Sequence, residues 1–216
     1  RPVAGIVGDA PAVAENASWS ADLTIRDCRA TGNRGRGYLL KSRGKTLITG
    51  NQLSTGGTGI LIEGKTFGFC ESGPVRDVVI DDNDFIDCKR GPWGRALIDI
   101  RPVPEKIDAT DPYYHENIVI RGNRFRTFDP GIVAAFCAEG LSFENIEIER
   151  TVTFPAKEES QRHVFELRLV KDAIVCGNVG KGVVRETLWL MDADTEKAAT
   201  VDGNDLGARE TDPRRL

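Results

Sequence analysis

The sequence has no long apolar run and no excess of positive charge. Its apolar stretches are short, as at residues 59–62 (Gly-Ile-Leu-Ile), whereas a membrane-spanning helix needs roughly 20 consecutive apolar residues. The formal net charge is −4, with acidic and basic residues mixed along the 216 positions. Proteins that bind nucleic acid usually present a basic face. We therefore expect neither membrane insertion nor nucleic-acid binding.

Metal, redox and nucleotide-cofactor motifs are also missing. The five cysteines are widely spaced without a C-x-x-C pair, and the two histidines stand alone, so clustered metal ligands are not expected. Neither a P-loop, a dinucleotide fingerprint nor a nucleophile elbow occurs. We predict that the protein uses no metal and no organic cofactor, and that its cysteines are buried, reduced thiols.

What the sequence does contain is a repeat along most of its length. The unit is apolar-x-apolar-x-x-Asn, as at residues 78–83 and 118–123. Its anchors are residues 25, 48, 80, 120, 143, 175 and 201, with spacings of 23, 32, 40, 23, 32 and 26. Two units have Cys28 and Ile146 in place of Asn, and Asn145 stands one position early. A period-two strand followed by a turn indicates β-structure rather than helix.

This repeat predicts an all-β fold, a right-handed parallel β-helix of about seven coils, formed by a single domain over residues 1–216. Residues 21–206 would form the coils, residues 1–20 a partial N-terminal cap and residues 207–216 a flexible tail. Leucine-rich repeats also combine Asn with regular apolar spacing, but their units are shorter and dominated by leucine.

The recurring Asn has a physical reason to stand at a turn. Asn tolerates left-handed backbone and forms local hydrogen bonds, and stacked amides can bond one another from coil to coil. The open ends of such a stack expose strand edges, which makes a homo-oligomer through the coil ends a further expectation.

A second set of strands lies between the anchors and predicts a charged column. Their alternation should point residues 38, 40, 60, 62, 96 and 98 inward and leave Lys41, Glu63 and Asp99 outward at one slot of three successive coils. Neighbouring strands are about 4.8 Å apart, so Glu63 and Asp99 would form a carboxylate pair suited to acid–base chemistry. The same stripe would also suit ordinary surface salt bridges.

Residues 23–147 resemble the β-helix of glycoside hydrolase family 110, the bacterial α-1,3-galactosidases. The Ile-Glu-Gly segment at residues 62–64 and the Glu-Ser-Gly-x-Val-x-Asp-Val segment at residues 71–78 carry most of the specificity. The matching stretches are residues 34–40, 59–64, 71–78, 93–100 and 114–118.

The resemblance implies an enzyme that removes terminal α-linked galactose from an oligosaccharide or polysaccharide by an inverting mechanism. It also implies a secreted or periplasmic location. The candidates for the catalytic acid and base are Glu63, Asp99 and Glu71, with the assignment among them left open. The expected substrate contacts are Arg36, Lys41, Trp93 and His115.

Two other functions fit a β-helix with this surface. One is a non-catalytic glycan-binding or structural module. The other is a polysaccharide lyase, which often combines Ca²⁺ with a Lys or Arg base. An acidic cluster beside Lys41 or Lys65 would favour the lyase.

Overall fold

The chain forms an all-β solenoid of parallel strands. The structure is a computed structural model that describes residue 16, residues 18–65, 73–103, 113–155, 163–181 and 188–206, and the backbone of residues 214–215. Across those residues, no helix is both long and apolar enough to cross a membrane. The strands are β1 (Leu23–Arg26), β2 (Arg29–Thr31), β3 (Tyr38–Leu40), β4 (Thr46–Thr49), β5 (Gln52–Ser54), β6 (Ile60–Lys65), β7 (Arg76–Asp81), β8 (Asp84–Ile86), β9 (Ile98–Val103), β10 (His115–Arg121), β11 (Arg124–Thr127), β12 (Val133–Glu144), β13 (Glu147–Arg150), β14 (Phe165–Lys171), β15 (Ile174–Cys176), β16 (Val179–Lys181), β17 (Trp189–Met191), β18 (Thr200–Asp202) and β19 (Arg214–Arg215), with one helix, α1 (Ala193–Ala198), between β17 and β18.

These strands make three parallel faces along the solenoid. The first sheet is β1-β4-β7-β10-β12-β15-β18, the second is β2-β5-β8-β11-β13-β16, and the third is β3-β6-β9-β12-β14-β17-β19. The long strand β12 belongs to the first and third sheets, and its backbone turns left-handed between them at Cys137, with φ +58°. The chain therefore visits three strands in succession before it returns to the first sheet.

The first sheet confirms the predicted anchors. Its parallel register pairs the seven anchor residues in one row: Ile25, Ile48, Ile80, Ile120, Phe143, Val175 and Val201. Spacings that range from 23 to 40 residues thus bring each anchor to the same place. The variable lengths lie in the loops between strands, as expected for a solenoid repeat.

The interior is filled by side chains from all three faces. An aromatic column runs through it, with ring centroids 4.6 Å apart for Phe85 and Phe125, 4.9 Å for Phe143 and Phe165, and 4.6 Å for Phe165 and Trp189. These rings are almost wholly buried. Burial of this apolar surface is the main favourable contribution to folding.

The asparagines form the predicted ladder at the corner between the first and second sheets. The Nδ2 of Asn51 donates to Oδ1 of Asn83 at 2.9 Å, and the Nδ2 of Asn83 donates to Oδ1 of Asn123 at 2.9 Å. Asn178 and Asn204 make the same bond at 2.7 Å. Ile146 occupies the ladder position between Asn123 and Asn178 and has no side-chain amide, so the ladder of side chains has two parts.

The prediction that the ladder asparagines have left-handed backbone is wrong. The left-handed conformation belongs instead to the residue that precedes each of them. The left-handed residues before the ladder asparagines are Gly50, Asp82, Gly122, Gly177 and Gly203, and Asp27 and Asn145 hold the same position before Cys28 and Ile146. Asn145 therefore stands one position early because it fills the left-handed position. A Cβ on Gly50 would lie 2.7 Å from Oδ1 of Asp27 in the preceding coil, which explains the glycine there.

The cysteine prediction holds for two of the thiols. Cys88 and Cys137 are buried, whereas Cys176 is half-buried and Cys28 is exposed, and all four are free. Cys28 lies in the first coil, where its backbone N–H donates to Oδ1 of Asn51 at 3.0 Å. Cys70, most of the predicted cap and most of the predicted tail lie outside the described residues, while the backbone of β19 pairs with β17.

Asn83→Ala should lower the free energy of unfolding by about 3 kcal/mol, because the amide N–H of Asn51 and the carbonyl of Ile48 would lose buried partners. Asn204 ends the ladder and is less buried, so Asn204→Ala should cost less. Urea denaturation of both variants measures the difference. Equal losses would contradict a stabilising ladder.

Candidate functional site

The outward face of the third sheet carries the predicted carboxylates, but in a different register. Leu61 pairs with Asp99, and Glu63 pairs with Arg101. The prediction that Asp99 shares a slot with Lys41 and Glu63 is therefore wrong by two residues. The cause lies in the core, where Ile60 packs over Ile98 and Ile62 over Ile100. We had expected residues 96 and 98 in those two positions.

Glu63 and Asp99 nevertheless remain neighbours. They lie on the same face of adjacent strands, offset by two residues, which places their Cα atoms roughly 8 Å apart. The guanidinium of Arg101 lies between them, with Nη2 at 3.8 Å from Oε1 of Glu63 and Nε at 3.7 Å from Oδ2 of Asp99. One cation thus contacts both carboxylates.

Each carboxylate has a second cation. The Nζ of Lys41 lies 3.8 Å from Oε2 of Glu63. Arg95 donates to Asp99 three times, from its backbone N–H to Oδ2 at 3.2 Å and from Nε and Nη2 to Oδ1 at 3.4 and 3.2 Å. Glu63 is 7% exposed and Asp99 is fully buried. Burial of a carboxylate is very unfavourable unless such partners accompany it.

A third carboxylate, Glu166, lies in the same row as Asp99. The register pairs Asp99 with Ala134 and Ala134 with Glu166. The two acids therefore stand two strands apart, about 10 Å at the backbone, with Ala134 on the strand between them. Oε1 of Glu166 lies 3.0 Å from Nε of Arg168. Sequence reasoning missed Glu166, although the apolar residues Phe165 and Leu167 on either side of it indicate that it points outward.

Another acid on this face is already engaged. Asp192 caps α1, with Oδ1 accepting from the Thr195 N–H at 2.9 Å and Oδ2 accepting from the Leu169 N–H at 2.6 Å. Across the described ranges, no three His, Cys, Asp or Glu side chains are grouped so that they could hold a metal ion.

The predicted substrate contacts are not all brought together. Lys41 lies beside Glu63, whereas Trp93 is 57% exposed and lies at the corner between the second and third sheets, next to Gly57. Six residues separate Gly57 from Glu63 along the chain, so their Cα atoms lie at most about 20 Å apart. Arg36 is exposed in the loop before β3, near the same edge as Trp93. Glu71 lies outside the described residues.

His115 is fully buried and lies next to the backbone of Arg101, near the end of the third sheet that carries Glu63. Its Nδ1 accepts a hydrogen bond from the Val75 N–H at 3.2 Å, and its ring meets that of Tyr114 edge-on at 4.9 Å. Burial lowers the pKa of His115 to about 4, so the ring is neutral at pH 7. This burial favours a structural role over direct contact with a sugar.

Tyr114 packs on the inward side of β6, opposite the face that carries Glu63, and its hydroxyl is buried. Its ring and hydroxyl occupy the space that a side chain on Gly64 would need, so Gly64 is required for the ring to lie against the strand.

Comparison with known proteins confirms the resemblance to α-1,3-galactosidases. The chain is 42% identical over 170 residues to an α-1,3-galactosidase A of Bacteroides fragilis, covering 78% of the chain and 28% of that protein. It is 33% identical over 175 residues to an α-1,3-galactosidase B of Bacteroides thetaiotaomicron, covering 80% of the chain and 28% of the relative. It is 30% identical over 175 residues to an α-1,3-galactosidase B of Parabacteroides distasonis, covering 80% and 29%.

The chain therefore spans less than a third of the length of these curated relatives. No protein-family model matches it.

Stability should fall as pH is lowered through the window from about 6.5 to about 4, because the unfolded state then binds a proton that buried His115 does not. The loss amounts to about 3 kcal/mol for this group. His115→Gln should flatten this slope in denaturation curves at several pH values. His163→Gln is the control; a slope unchanged in His115→Gln would contradict the assignment.

Proposed function

We propose that the chain forms the catalytic β-helix of a glycoside hydrolase that removes terminal α-linked galactose, or a similar sugar, from a glycan. The observation that carries the proposal is the group of three carboxylates on the outward face of the third sheet, in a chain that resembles the α-1,3-galactosidases. Lys41, Arg95 and Arg101 surround this group and can donate to sugar hydroxyls.

An inverting mechanism needs two carboxyl groups roughly 6.5–9.5 Å apart. One donates a proton to the glycosidic oxygen as the bond to the anomeric carbon breaks, and the other takes a proton from the water that attacks the opposite face. The Cα atom of Asp99 lies roughly 8 Å from that of Glu63 and about 10 Å from that of Glu166, and side chains that lean toward each other would bring either pair of carboxyl groups into this range. Glu63 and Glu166 lie about 16 Å apart at the backbone, so we infer that Asp99 is the member common to both pairs.

The surroundings of Asp99 suit the base better than the acid. Arg95 already donates to both of its oxygens, which supports a carboxylate in its charged form. The groups that contact it, Arg95 and Arg101, have side chains that are 21% and 26% exposed. A sugar that draws the guanidinium of Arg101 away from Asp99 would open the carboxylate to the attacking water, while Arg95 keeps its hydrogen bonds to it. The acid is then Glu63, Glu166 or Glu71.

Asp99→Asn should reduce galactose release from galactose-α-1,3-galactose at least about 100-fold, the contribution expected of a catalytic acid or base. Glu63→Gln, Glu166→Gln and Glu71→Gln identify the partner, because only the variant of the true acid should show a comparable loss. Glu139→Gln, which removes an exposed acid paired with Lys171, is the control. Proton NMR of the first product should show β-galactose.

Full activity in Asp99→Asn, or α-galactose as the first product, would contradict this mechanism. Binding of the disaccharide without turnover by the unaltered protein would support a glycan-binding module instead. A Ca²⁺-dependent rise in ultraviolet absorbance on polyuronate would support a lyase.

Trp93 should contact only longer glycans, because it lies at the other edge of the third sheet from Glu63. Trp93→Ala should raise KM on the order of tenfold for a tetrasaccharide that ends in α-galactose, through the loss of ring stacking. The same variant should leave KM for an aryl α-galactoside unchanged. An equal rise for both substrates would place Trp93 next to the terminal sugar.

Three further features are proposals on general grounds. We infer a right-handed solenoid of about seven coils, because crossovers between parallel strands are right-handed in nearly all proteins and seven anchors stack in one row. Secretion or a periplasmic location, and self-association through the coil ends, are also proposed.

A further inference from the structure

A buried ion pair lies at the corner between the second and third sheets. The Nζ of Lys89 is 3.4 Å from Oδ2 of Asp129, and the two side chains are 2% and 3% exposed. Lysine is almost never so completely buried, and the desolvation of two charges offsets most of their attraction. Stability alone therefore does not account for the pair.

Lys89 also adopts a backbone conformation that residues with side chains avoid. Its φ is +66°, in the left-handed region. Its N–H donates to the carbonyl of Gly57 at 2.9 Å, which holds this conformation in place. On the other side, the Asp129 N–H donates to Oγ1 of Thr127 at 3.2 Å. Lys89 is thus fixed by the preceding coil, and Asp129 is fixed by a local hydrogen bond within its own coil.

The ammonium group reaches the candidate site through one peptide unit. The Nζ of Lys89 donates to the carbonyl oxygen of Arg95 at 2.6 Å. The backbone N–H of Arg95 donates to Oδ2 of Asp99, and the side chain of Arg95 donates to Oδ1. Arg95 is therefore held at its carbonyl by Lys89 while its donors hold both oxygens of Asp99.

We propose that Lys89, with Asp129 as its counter-ion, is a positioning residue for Asp99 that acts through Arg95. This inference rests on the proposed function, in which Asp99 takes part in catalysis. An apolar pair of similar volume would fill the same space, but it would leave the carbonyl of Arg95 without its donor. Arg95 would then be free to turn away from Asp99, and the carboxylate would lose its fixed orientation.

The test uses the double variant Lys89→Met/Asp129→Leu, which removes both buried charges and replaces each side chain by an apolar one of similar shape. Its melting temperature should stay close to that of the unaltered protein, because replacement of a buried pair by apolar residues is often neutral or stabilising. Its kcat for galactose-α-1,3-galactose should fall about tenfold or more, with KM changed less than about threefold, because misplacement of a catalytic group by about 1 Å is costly. Lys89→Met alone should lower both the melting temperature and kcat.

The matched control is Lys181→Met/Glu147→Leu, which removes an exposed pair of the second sheet with Nζ and Oε2 3.2 Å apart. It should keep kcat. A Lys89→Met/Asp129→Leu variant that retains both stability and kcat would overturn the proposal.

A crystal structure of Lys89→Met/Asp129→Leu separates this inference from the proposed function. If the unaltered protein has no glycosidase activity, the proposed function fails, but the positioning claim still predicts that Arg95 and Asp99 move apart in the variant. Unchanged Arg95–Asp99 hydrogen bonds in that crystal structure would overturn the positioning role whatever the activity.

Discussion

The packing of Ile60 on Ile98 and of Ile62 on Ile100 decides which side chains become neighbours outside the third sheet. Because side chains alternate along a strand, each inward contact fixes the outward residues beside it. This packing sets Glu63 beside Arg101 and Asp99 beside Leu61. The charged cluster is therefore a consequence of how the core is filled.

The same constraint joins the interior to the chemistry proposed for the surface. Asp99 is fully buried on the outward face, so its charge depends on the donors that the neighbouring backbone brings to it. Arg95 supplies them from the loop before β9, and Lys89 holds that loop from the far side. The carboxylate pair and its cations form one connected unit, and a change at any member should affect the others.

Some of this arrangement was predictable from the sequence. The first-sheet anchors were, because apolar-x-apolar-x-x-Asn is a local pattern that recurs around Ile48 and Ile80. The third-sheet register was not, because a shift of two residues leaves the inward and outward faces unchanged. Alternation could thus place Asp99 on the outward face but not beside a particular neighbour. The Lys89 and Arg95 contacts arise in an irregular loop, where no periodic pattern applies.

A crystal structure of the Asp99→Asn variant with galactose-α-1,3-galactose tests the central claim most directly. The account predicts that the disaccharide lies on the outward face of the third sheet, with its glycosidic bond between residue 99 and one of the candidate acids Glu63, Glu166 and Glu71. A disaccharide bound to the first or second sheet, or one that makes no contact with residue 99, would contradict it.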